Sequence, residues 1–229
     1  MNTRGLSIPF VSFGNVTSDD LFCDKEQAIF DLYEKWGHEQ RYHAALDIGA
    51  NIGVHSCLMM RAGMRVDAFE PDPEHFKILR QNLSGHDKTQ WTAYQAAMSD
   101  RNGTAVFVRV KGNTTGSHLK GDKAPYGDLE EFPVRVMDCR PWFDWANFAK
   151  IDCEGHEARL LTTVDPASCR CEFLVEVGTL MNAERIFGHF VGTDYGMWSQ
   201  KSGWGEVKAL ADMPMHHSHG ALFIGRSAP

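Results

Sequence analysis

Long apolar runs are missing from the 229-residue chain, and no stretch approaches the roughly 18 apolar residues that a membrane helix needs. The first residues contain only a short, broken apolar run, so they lack the longer apolar core of a secretory signal. We therefore expect a cytoplasmic protein. Internal repeats, low-complexity tracts and a dividing linker are also missing. The length suits one α/β domain with insertions, or at most two small domains.

Positive charge is scarce as well. The chain has 23 Lys and Arg residues against 30 Asp and Glu residues, which gives a net charge of −7. Phosphate backbones are held mainly by Lys and Arg, and no run of basic residues occurs. Nucleic acid is therefore a disfavoured partner. The 43% of hydrophobic residues leaves enough apolar surface for a sizeable core.

Cysteines are few and do not indicate a disulfide framework, which is typical of shorter secreted chains. Several lie inside apolar runs, where a small reduced thiol packs well. We therefore predict reduced, buried cysteines, with half of a metal site at Cys169 and Cys171 as the alternative. The six positions are Cys23, Cys57, Cys139, Cys153, Cys169 and Cys171.

The first 43 residues predict an N-terminal helical segment. Residues 17–20 (TSDD) are a helix-start signal with acids in the first turn. Apolar residues then recur at helical spacing, and Gly37 is expected to end the helix. These apolar positions are Leu21, Ile29, Leu32, Tyr33 and Trp36.

From residue 44 onward, short apolar runs alternate with helical stretches. This alternation predicts an α/β domain over residues 44–229, with a mostly parallel sheet covered by helices on both faces. The polar residues 111–132 are too long for a turn and predict a mobile or partly disordered substrate loop, taken as residues 111–133. Strands are predicted at 44–48, 65–69, 91–97, 104–110, 134–137, 148–151, 173–177 and 221–225, and helices at 53–62, at 73–83 and from about residue 156.

A glycine-rich bend joins the first of these strands to its helix, in residues 46–53 (LDIGANIG). Glycines such as Gly49 and Gly53 let the backbone turn sharply and approach a ligand closely. The helix N-terminus that follows offers free N–H donors. The next strand ends in Glu70, where an acid can accept both hydroxyls of a ribose. The pattern indicates an adenosine-type cofactor.

The spacing around Asp47 distinguishes between adenosine cofactors. A dinucleotide site calls for Gly-x-Gly-x-x-Gly around a pyrophosphate, whereas this chain has Asp-x-Gly-x-x-x-Gly. A buried carboxylate attracts an ammonium and a sulfonium and repels a pyrophosphate. The motif therefore favours S-adenosylmethionine (SAM) over NAD. The alternative is a tight turn in which Asp47 only caps the helix.

The chain resembles the FkbM-type family of SAM-dependent methyltransferases. Four segments match in order, and the strand FLVEV at 173–177 fits the one that usually follows them. Together they span about residues 44 to 178. The segments are LDIGANIG at 46–53, AFEPDP at 68–73, AAMSD at 96–100 and KIDCEGHE at 150–157.

This resemblance implies a Rossmann-like class I methyltransferase fold with a seven-stranded sheet and a reversed last strand. It implies that Asp47, Gly49, Ala50, Asn51 and Gly53 hold the amino-acid part of SAM. It also places the ribose on Glu70, the adenosine beside Pro71 and Asp72, and the adenine beside Ala97, Met98 and Ser99. Family members mostly methylate hydroxyls of sugars, glycolipids or polyketide-type metabolites.

Four acids end predicted strands: Asp47, Glu70, Asp152 and Glu176. Ligands of open α/β sheets bind at this edge. An attacking alcohol benefits from a base that takes its proton, so Asp152 is the first catalytic candidate.

Glu154 and His156 follow Asp152 on the same turn, and the pKa of a histidine suits a general base. Alternatively, Glu154 and Glu157 stabilise the helix N-terminus while His156 caps the helix or faces solvent. Asp152 and Glu176 could also hold a divalent cation, a less favoured interpretation.

The C-terminal part contains aromatic and histidine residues whose role stays open. Trp198 and Trp204 could stack on a sugar ring or close the core. His216, His217 and His219 suggest a metal site. They lack a supporting Cys or acid nearby, so a surface or substrate-lining loop is favoured.

The sequence as a whole predicts a SAM-dependent O-methyltransferase that acts on a hydroxyl of a sugar, glycan or small metabolite. The alternatives are an RNA ribose methyltransferase and a SAM-binding protein without catalysis.

Overall fold

The computed structural model describes residues 2–20, 24–124 and 126–229. The strands and helices follow one another in this order: β1 Asn2–Thr3, β2 Leu6–Ser7, α1 Asp24–Glu39, β3 Ala44–Ile48, α2 Val54–Arg61, β4 Arg65–Phe69, α3 Pro73–Leu83, β5 Trp91–Tyr94, β6 Ala97–Ser99, β7 Gly103–Val110, β8 His118–Leu119, β9 Leu129–Asp138, α4 Arg140–Trp145, β10 Phe148–Ile151, α5 Glu157–Leu161, β11 Glu172–Val175, α6 Leu180–Phe190, β12 Gly196–Ser199, β13 Gly205–Glu206 and β14 Leu222–Gly225.

The main sheet has eight strands in the order β13-β12-β14-β11-β10-β3-β4-β5. The five strands from β11 to β5 are parallel to their neighbours, while β14 is antiparallel to β11. The prediction of an α/β fold with a reversed last strand is confirmed, but the prediction of seven strands is wrong. The additional strand is the two-residue β13, which pairs with β12 after a left-handed turn at Gly203 and Trp204.

Each face of the main sheet carries its own core. Helices α1, α2 and α3 cover one face, where Trp36 packs against Phe148 and Phe223 with ring centroids 5.2 and 5.6 Å apart. Helices α4, α5 and α6 cover the other face, where Phe173 and Ile151 are buried. Burial on both faces explains why these strands are almost continuously apolar in sequence. It also holds the carboxyl ends of the parallel strands at one edge.

The N-terminal helix differs from its prediction at both ends. Residues 17–20 form a turn in which the Asp20 carboxylate accepts hydrogen bonds from Thr17, and the helix starts at Asp24. Gly37 lies inside the helix, where a Cβ would be 3.0 Å from Ala62. This glycine therefore permits a close approach to the residue that follows α2. Leu21 lies outside the described residues.

A second sheet has four strands in the order β6-β9-β7-β8. The predicted strand at 91–97 is in fact two strands, because the chain turns after Tyr94 and passes into this second sheet as β6. The predicted loop at 111–132 is partly built into the sheet as well. It contains a 3-10 turn at Thr114–Gly116, β8, and the start of β9. The first residues of β9, Leu129–Glu131, are exposed, which explains why this part of the strand has a polar sequence.

Five cysteines, at positions 57, 139, 153, 169 and 171, are free thiols, and all but Cys153 are fully buried. Cys23 lies outside the described residues. Within residues 2–20, 24–124 and 126–229, no helix is long and apolar enough to cross a membrane.

Candidate active site

A cavity of about 390 Å³ opens at the carboxyl ends of β3, β4, β10 and β11. The strand ends form its floor, and the second sheet with the turn at 113–117 forms its roof. Of the predicted site residues, those that line it are Gly49, Ala50, Asn51, Glu70, Pro71, Ala97, Met98, Asp152, Glu154, His156 and Glu176.

The glycine bend fits tightly between two strand ends. The amides of Gly49 and Ala50 both donate to the carbonyl oxygen of Phe69 at 3.0 Å. Gly49 has a φ of 77°, and a Cβ there would lie 1.8 Å from the carbonyl oxygen of Asp152. Only glycine satisfies both conditions. The bend therefore brings the end of β10 directly against the end of β3.

The Glu70 carboxylate links the bend to the next strand. Its Oε2 accepts a hydrogen bond from the Asn51 amide and its Oε1 accepts one from the Asp72 amide, both at 2.8 Å. Burial raises the pKa of Glu70 to about 8. Each oxygen keeps a free lone pair, so this acid can accept further donors from a ligand.

Asp47 and Gly53 lie beneath the cavity rather than in its wall. Asp47 is fully buried, and its Oδ2 accepts a hydrogen bond from the Ser56 hydroxyl at 2.5 Å. Its Oδ1 has no hydrogen-bond partner among the described residues. Gly53 precedes α2 with a φ of 86°, and a Cβ there would lie 2.5 Å from Leu79.

Asp72 also lies behind the wall and anchors two elements. Its carboxylate caps α3 by accepting from the Glu74 amide at 2.9 Å. Arg109 of β7 grips both its oxygens at 2.7 Å, although Asp72 is only 1% exposed. Burial opposes ionisation, but the Arg109 guanidinium lowers the pKa of Asp72 below its ordinary value. This pair attaches the second sheet to the cofactor side of the cavity.

Asp152 leaves β10 at the centre of the cavity floor. Its Oδ2 lies 3.1 Å from the Nζ of Lys150, a buried lysine two residues earlier. Burial opposes the charge of Lys150, but the carboxylates of Asp152 and Asp47 raise its pKa above the ordinary value. Lys150 is thus a held cation, and sequence analysis missed it because it was interpreted as part of a buried strand.

The turn after Asp152 has an unusual backbone that a buried acid holds in place. Glu154 has a φ of 58° and Gly155 a φ of 116°. The Glu157 carboxylate accepts hydrogen bonds from the amides of Cys153 and Gly155 at 3.0 Å and from the Asn182 side chain at 2.6 Å. Burial raises the pKa of Glu157 to about 7. Glu157 therefore stabilises the turn before α5, as the alternative interpretation predicted.

Glu154 faces the cavity from this turn and is held by a residue of the segment 111–133. Lys123 donates to its carboxylate at 2.5 Å. Burial and the neighbouring Asp152 raise the pKa of Glu154, although Lys123 lowers it.

His156 directly precedes α5 and is buried, with 5% of its surface exposed, so the alternative in which it faces solvent is wrong. Its Nε2 lies 2.9 Å from the Ser99 hydroxyl and its Nδ1 lies 2.7 Å from the Asp122 carboxylate. Both ring nitrogens are therefore engaged by neighbouring side chains. Its role as a general base stays a prediction.

Glu26 lines the cavity from a helix to which sequence analysis gave no site role, whereas His217 comes from the C-terminal segment that was interpreted as a surface or substrate-lining loop. Glu26 of α1 lies 2.9 Å from the Nε2 of His55, whose Nδ1 lies 2.9 Å from the Tyr33 hydroxyl. His217 reaches the cavity from the C-terminal region. The sequence does not show that a charged residue such as Glu26, on an amphipathic helix, faces the end of a strand that is distant in the chain.

The remaining C-terminal candidates take local roles. Trp198 and Trp204 pack against the core and do not line the cavity. His216 contacts Ser218, and His219 accepts a hydrogen bond from the Met215 amide. In the part of the chain that the structure describes, no group of three or more His, Cys, Asp or Glu side chains could hold a metal ion.

The sequence model of a protein family, the methyltransferase FkbM domain, matches residues 47–201, about two-thirds of the chain. The chain belongs to the FkbM methyltransferase family. Most of the cavity floor and roof lies inside the matched range, whereas Glu26 and His217 lie outside it.

Two of the solved structures to which the chain is similar are the following. A precorrin-6y methyltransferase from Geobacter metallireducens is 14% identical, with 86% of each chain covered and a TM-score of 0.47. An O-methyltransferase from Bacillus cereus in complex with S-adenosylhomocysteine (SAH) is 8% identical, with 86% of this chain and 79% of that chain covered and a TM-score of 0.45. A search of curated proteins finds no significant match.

The protein is a SAM-dependent methyltransferase, and its cavity fits that cofactor. The buried, unpartnered Oδ1 of Asp47 can compensate a positive charge nearby. The free lone pairs of Glu70 suit ribose hydroxyls, and the bend at Gly49 leaves no side chain in the way. The sequence prediction of the family and of SAM as cofactor is confirmed.

Proposed function

We propose that the FkbM methyltransferase methylates a hydroxyl of a sugar, glycan or small metabolite. SAM, when bound, supplies an electrophilic methyl group on a positively charged sulfur. The observation that carries the proposal is the position of Asp152, whose carboxylate lines the cavity while its backbone packs against Gly49. A base at this place is adjacent to both the cofactor bend and the acceptor space.

The residues divide into two groups by proposed role. Asp152 takes the proton of the attacking hydroxyl, since Lys150 holds its Oδ2 and leaves Oδ1 to the acceptor. Glu154 and His156 support the acceptor side, where Lys123 and Asp122 hold them in place. The proposed cofactor residues are Asp47, Gly49, Ala50, Asn51, Gly53, Glu70, Pro71, Asp72, Ala97 and Met98.

The proposed organisation follows the same division. Residues 44–229 would form the methyltransferase domain, with residues 1–43 as an N-terminal segment. Residues 111–133 would contact substrate, which is supported by the cavity-lining positions of Thr114, Lys123 and Tyr126.

A small acceptor agrees better with the charges than RNA does. Lys123 and Lys150, the lysines of the described cavity lining, are each paired with a carboxylate, and the chain carries a net charge of −7. Few cations are therefore left for a phosphate backbone. A filter-binding assay with structured RNA at low salt tests this alternative, because tight binding would favour ribose methylation.

The experiment for the main proposal compares Asp152→Asn with Asp144→Asn, an exposed aspartate of α4. Labelled SAM is incubated with a library of hydroxyl-bearing metabolites to find an acceptor. Loss of the base should lower kcat about 10²- to 10⁴-fold. The control should keep normal turnover, and calorimetry should find SAM binding unchanged in both variants. Normal turnover by Asp152→Asn would remove Asp152 from catalysis, and wild-type protein that consumes no SAM would favour a non-catalytic binder.

A further inference from the structure

The carboxylates at the acceptor end of the cavity differ in the partners that they have. Asp152 and Glu154 are each paired with a lysine and Glu26 lies beside an imidazole, whereas the Glu176 carboxylate has no hydrogen bond or ion pair with any described residue. The three pairs are Glu26 with His55 at 2.9 Å, Asp152 with Lys150 at 3.1 Å, and Glu154 with Lys123 at 2.5 Å.

The topology places Glu176 away from the cofactor. Glu176 follows β11 and donates its amide to the Ile151 carbonyl at the end of β10. Glu70, the proposed ribose ligand, follows β4, and strands β3 and β10 lie between β4 and β11. Three strand spacings of about 4.8 Å separate these two strand ends by roughly 14 Å. Glu176 therefore faces the part of the cavity left for the acceptor.

The surroundings of Glu176 disfavour an isolated negative charge. Burial and the carboxylates of Asp152, Glu154 and Glu26 raise its pKa well above the ordinary value, and the Lys150 ammonium, which is paired with Asp152, offsets this only in part. A cation held beside Glu176 would offset this repulsion, whereas an anionic group would increase it.

We propose that the acceptor carries a protonated amine beside the hydroxyl that is methylated, and that Glu176 binds this amine. The inference rests on the proposed O-methylation. It names the acceptor class as amino alcohols, amino sugars included, and it excludes acceptors with a phosphate or carboxylate at that position. Glu26 adds a second carboxylate from α1, outside the residues that match the family.

The test uses matched acceptors that differ only at the amine. Glucosamine, N-acetylglucosamine, glucose and glucose 6-phosphate form one set, and further amino alcohols are each compared with their N-acetyl and hydroxyl counterparts. We expect kcat/KM for O-methylation of the acceptor with a free amine to be at least tenfold higher than for its neutral counterparts. Glucose 6-phosphate should not be methylated. Calorimetry on the SAH-loaded enzyme should show the same order of binding.

Glu176→Gln is compared with Glu184→Gln, an exposed glutamate of α6. The first variant should lose the amine preference at least tenfold while its affinity for SAM stays within twofold, and the second should behave as wild type. The inference is overturned if the N-acetyl members are O-methylated equally well, if Glu176→Gln keeps the preference, or if the enzyme O-methylates other acceptors but none that carries a free amine. Failure to bind SAM, or to O-methylate any acceptor, would instead overturn the proposed function.

Discussion

The two halves of the cavity are built in different ways. In the cofactor half, nearby stretches of backbone meet, and the main contacts join Gly49, Asn51 and Glu70 to neighbouring amides and carbonyls. In the acceptor half, side chains from distant parts of the chain pair with one another, as Lys123 does with Glu154. The cofactor half is therefore fixed by local conformation, whereas the acceptor half can change its chemistry by single side-chain replacements.

Among the changes that test this comparison, Gly49→Ala is expected to have the largest effect, because Gly49 is the point of contact between the two halves of the cavity. The methyl group would collide with the Asp152 carbonyl at 1.8 Å and would also strain a left-handed residue. We expect the free energy of unfolding to fall by at least about 4 kcal/mol, measured by urea denaturation.

Gly63→Ala is the matched control, since Gly63 also has a positive φ, of 91°, but a Cβ there meets nothing within 4 Å. It should cost only about 1 to 2 kcal/mol. Equal losses in the two variants would mean that the contact with Asp152 is unimportant.

A smaller effect is expected from Arg109→Met, which tests whether the second sheet supports the cofactor half. The change leaves the buried Asp72 carboxylate without its ion pair. We expect a loss of about 3 kcal/mol in urea denaturation, since unpaired buried charges are costly. SAM binding should weaken as well, measured by calorimetry.

Lys120→Met removes an exposed pair with Glu131 from the same sheet and should cost less than about 1 kcal/mol. If Arg109→Met were as mild as this control, the cofactor half would be independent of the second sheet.

The smallest expected effect is a pH dependence of binding at Glu70. Its pKa of about 8 means that the folded, ligand-free protein keeps this acid protonated at pH 7. Ribose hydroxyls donate best to the ionised form, so affinity should rise with pH. Between pH 7 and pH 9 the gain should be about tenfold, or about 1.4 kcal/mol. Methylthioadenosine is the suitable ligand for calorimetry, because it has the ribose but no titrating amine.

Glu70→Gln should bind methylthioadenosine weakly at every pH, while the exposed control Glu74→Gln should keep the wild-type slope. A slope that survives in Glu70→Gln would assign the titration to another group.

The same contrast explains what sequence analysis could predict. The strands at 44–48, 65–69 and 148–151 have the predicted bounds, because strands buried on both faces give continuous apolar runs. The bend at Gly49 and the acid at Glu70 were visible because their spacing is local. The second sheet was incomplete in the prediction, since the exposed start of β9 has few apolar residues to mark it.

The acceptor half was largely hidden from sequence analysis. Asp152 and Glu176 were predicted as strand-end acids and Glu154 as an acid on the turn after Asp152, but the ion pairs that Asp152 and Glu154 form were not predicted. Glu26 was missed because only the tertiary fold brings it to the cavity, whereas His217 belongs to the segment that was interpreted as a surface or substrate-lining loop. His156 illustrates the remaining gap, since its engagement with Ser99 and Asp122 follows from the packing of the second sheet.

The buried carboxylate of Glu157 has a wider consequence for how this enzyme can diversify. By gathering the amides of Cys153 and Gly155 and the side chain of Asn182, it fixes the path of the backbone from which two other acids project. Replacements at positions 152 or 154 would thus alter which acceptor the cavity recognises, while the backbone of the turn that carries them keeps its conformation. The residues that determine the acceptor are thereby different from the residue that stabilises the turn.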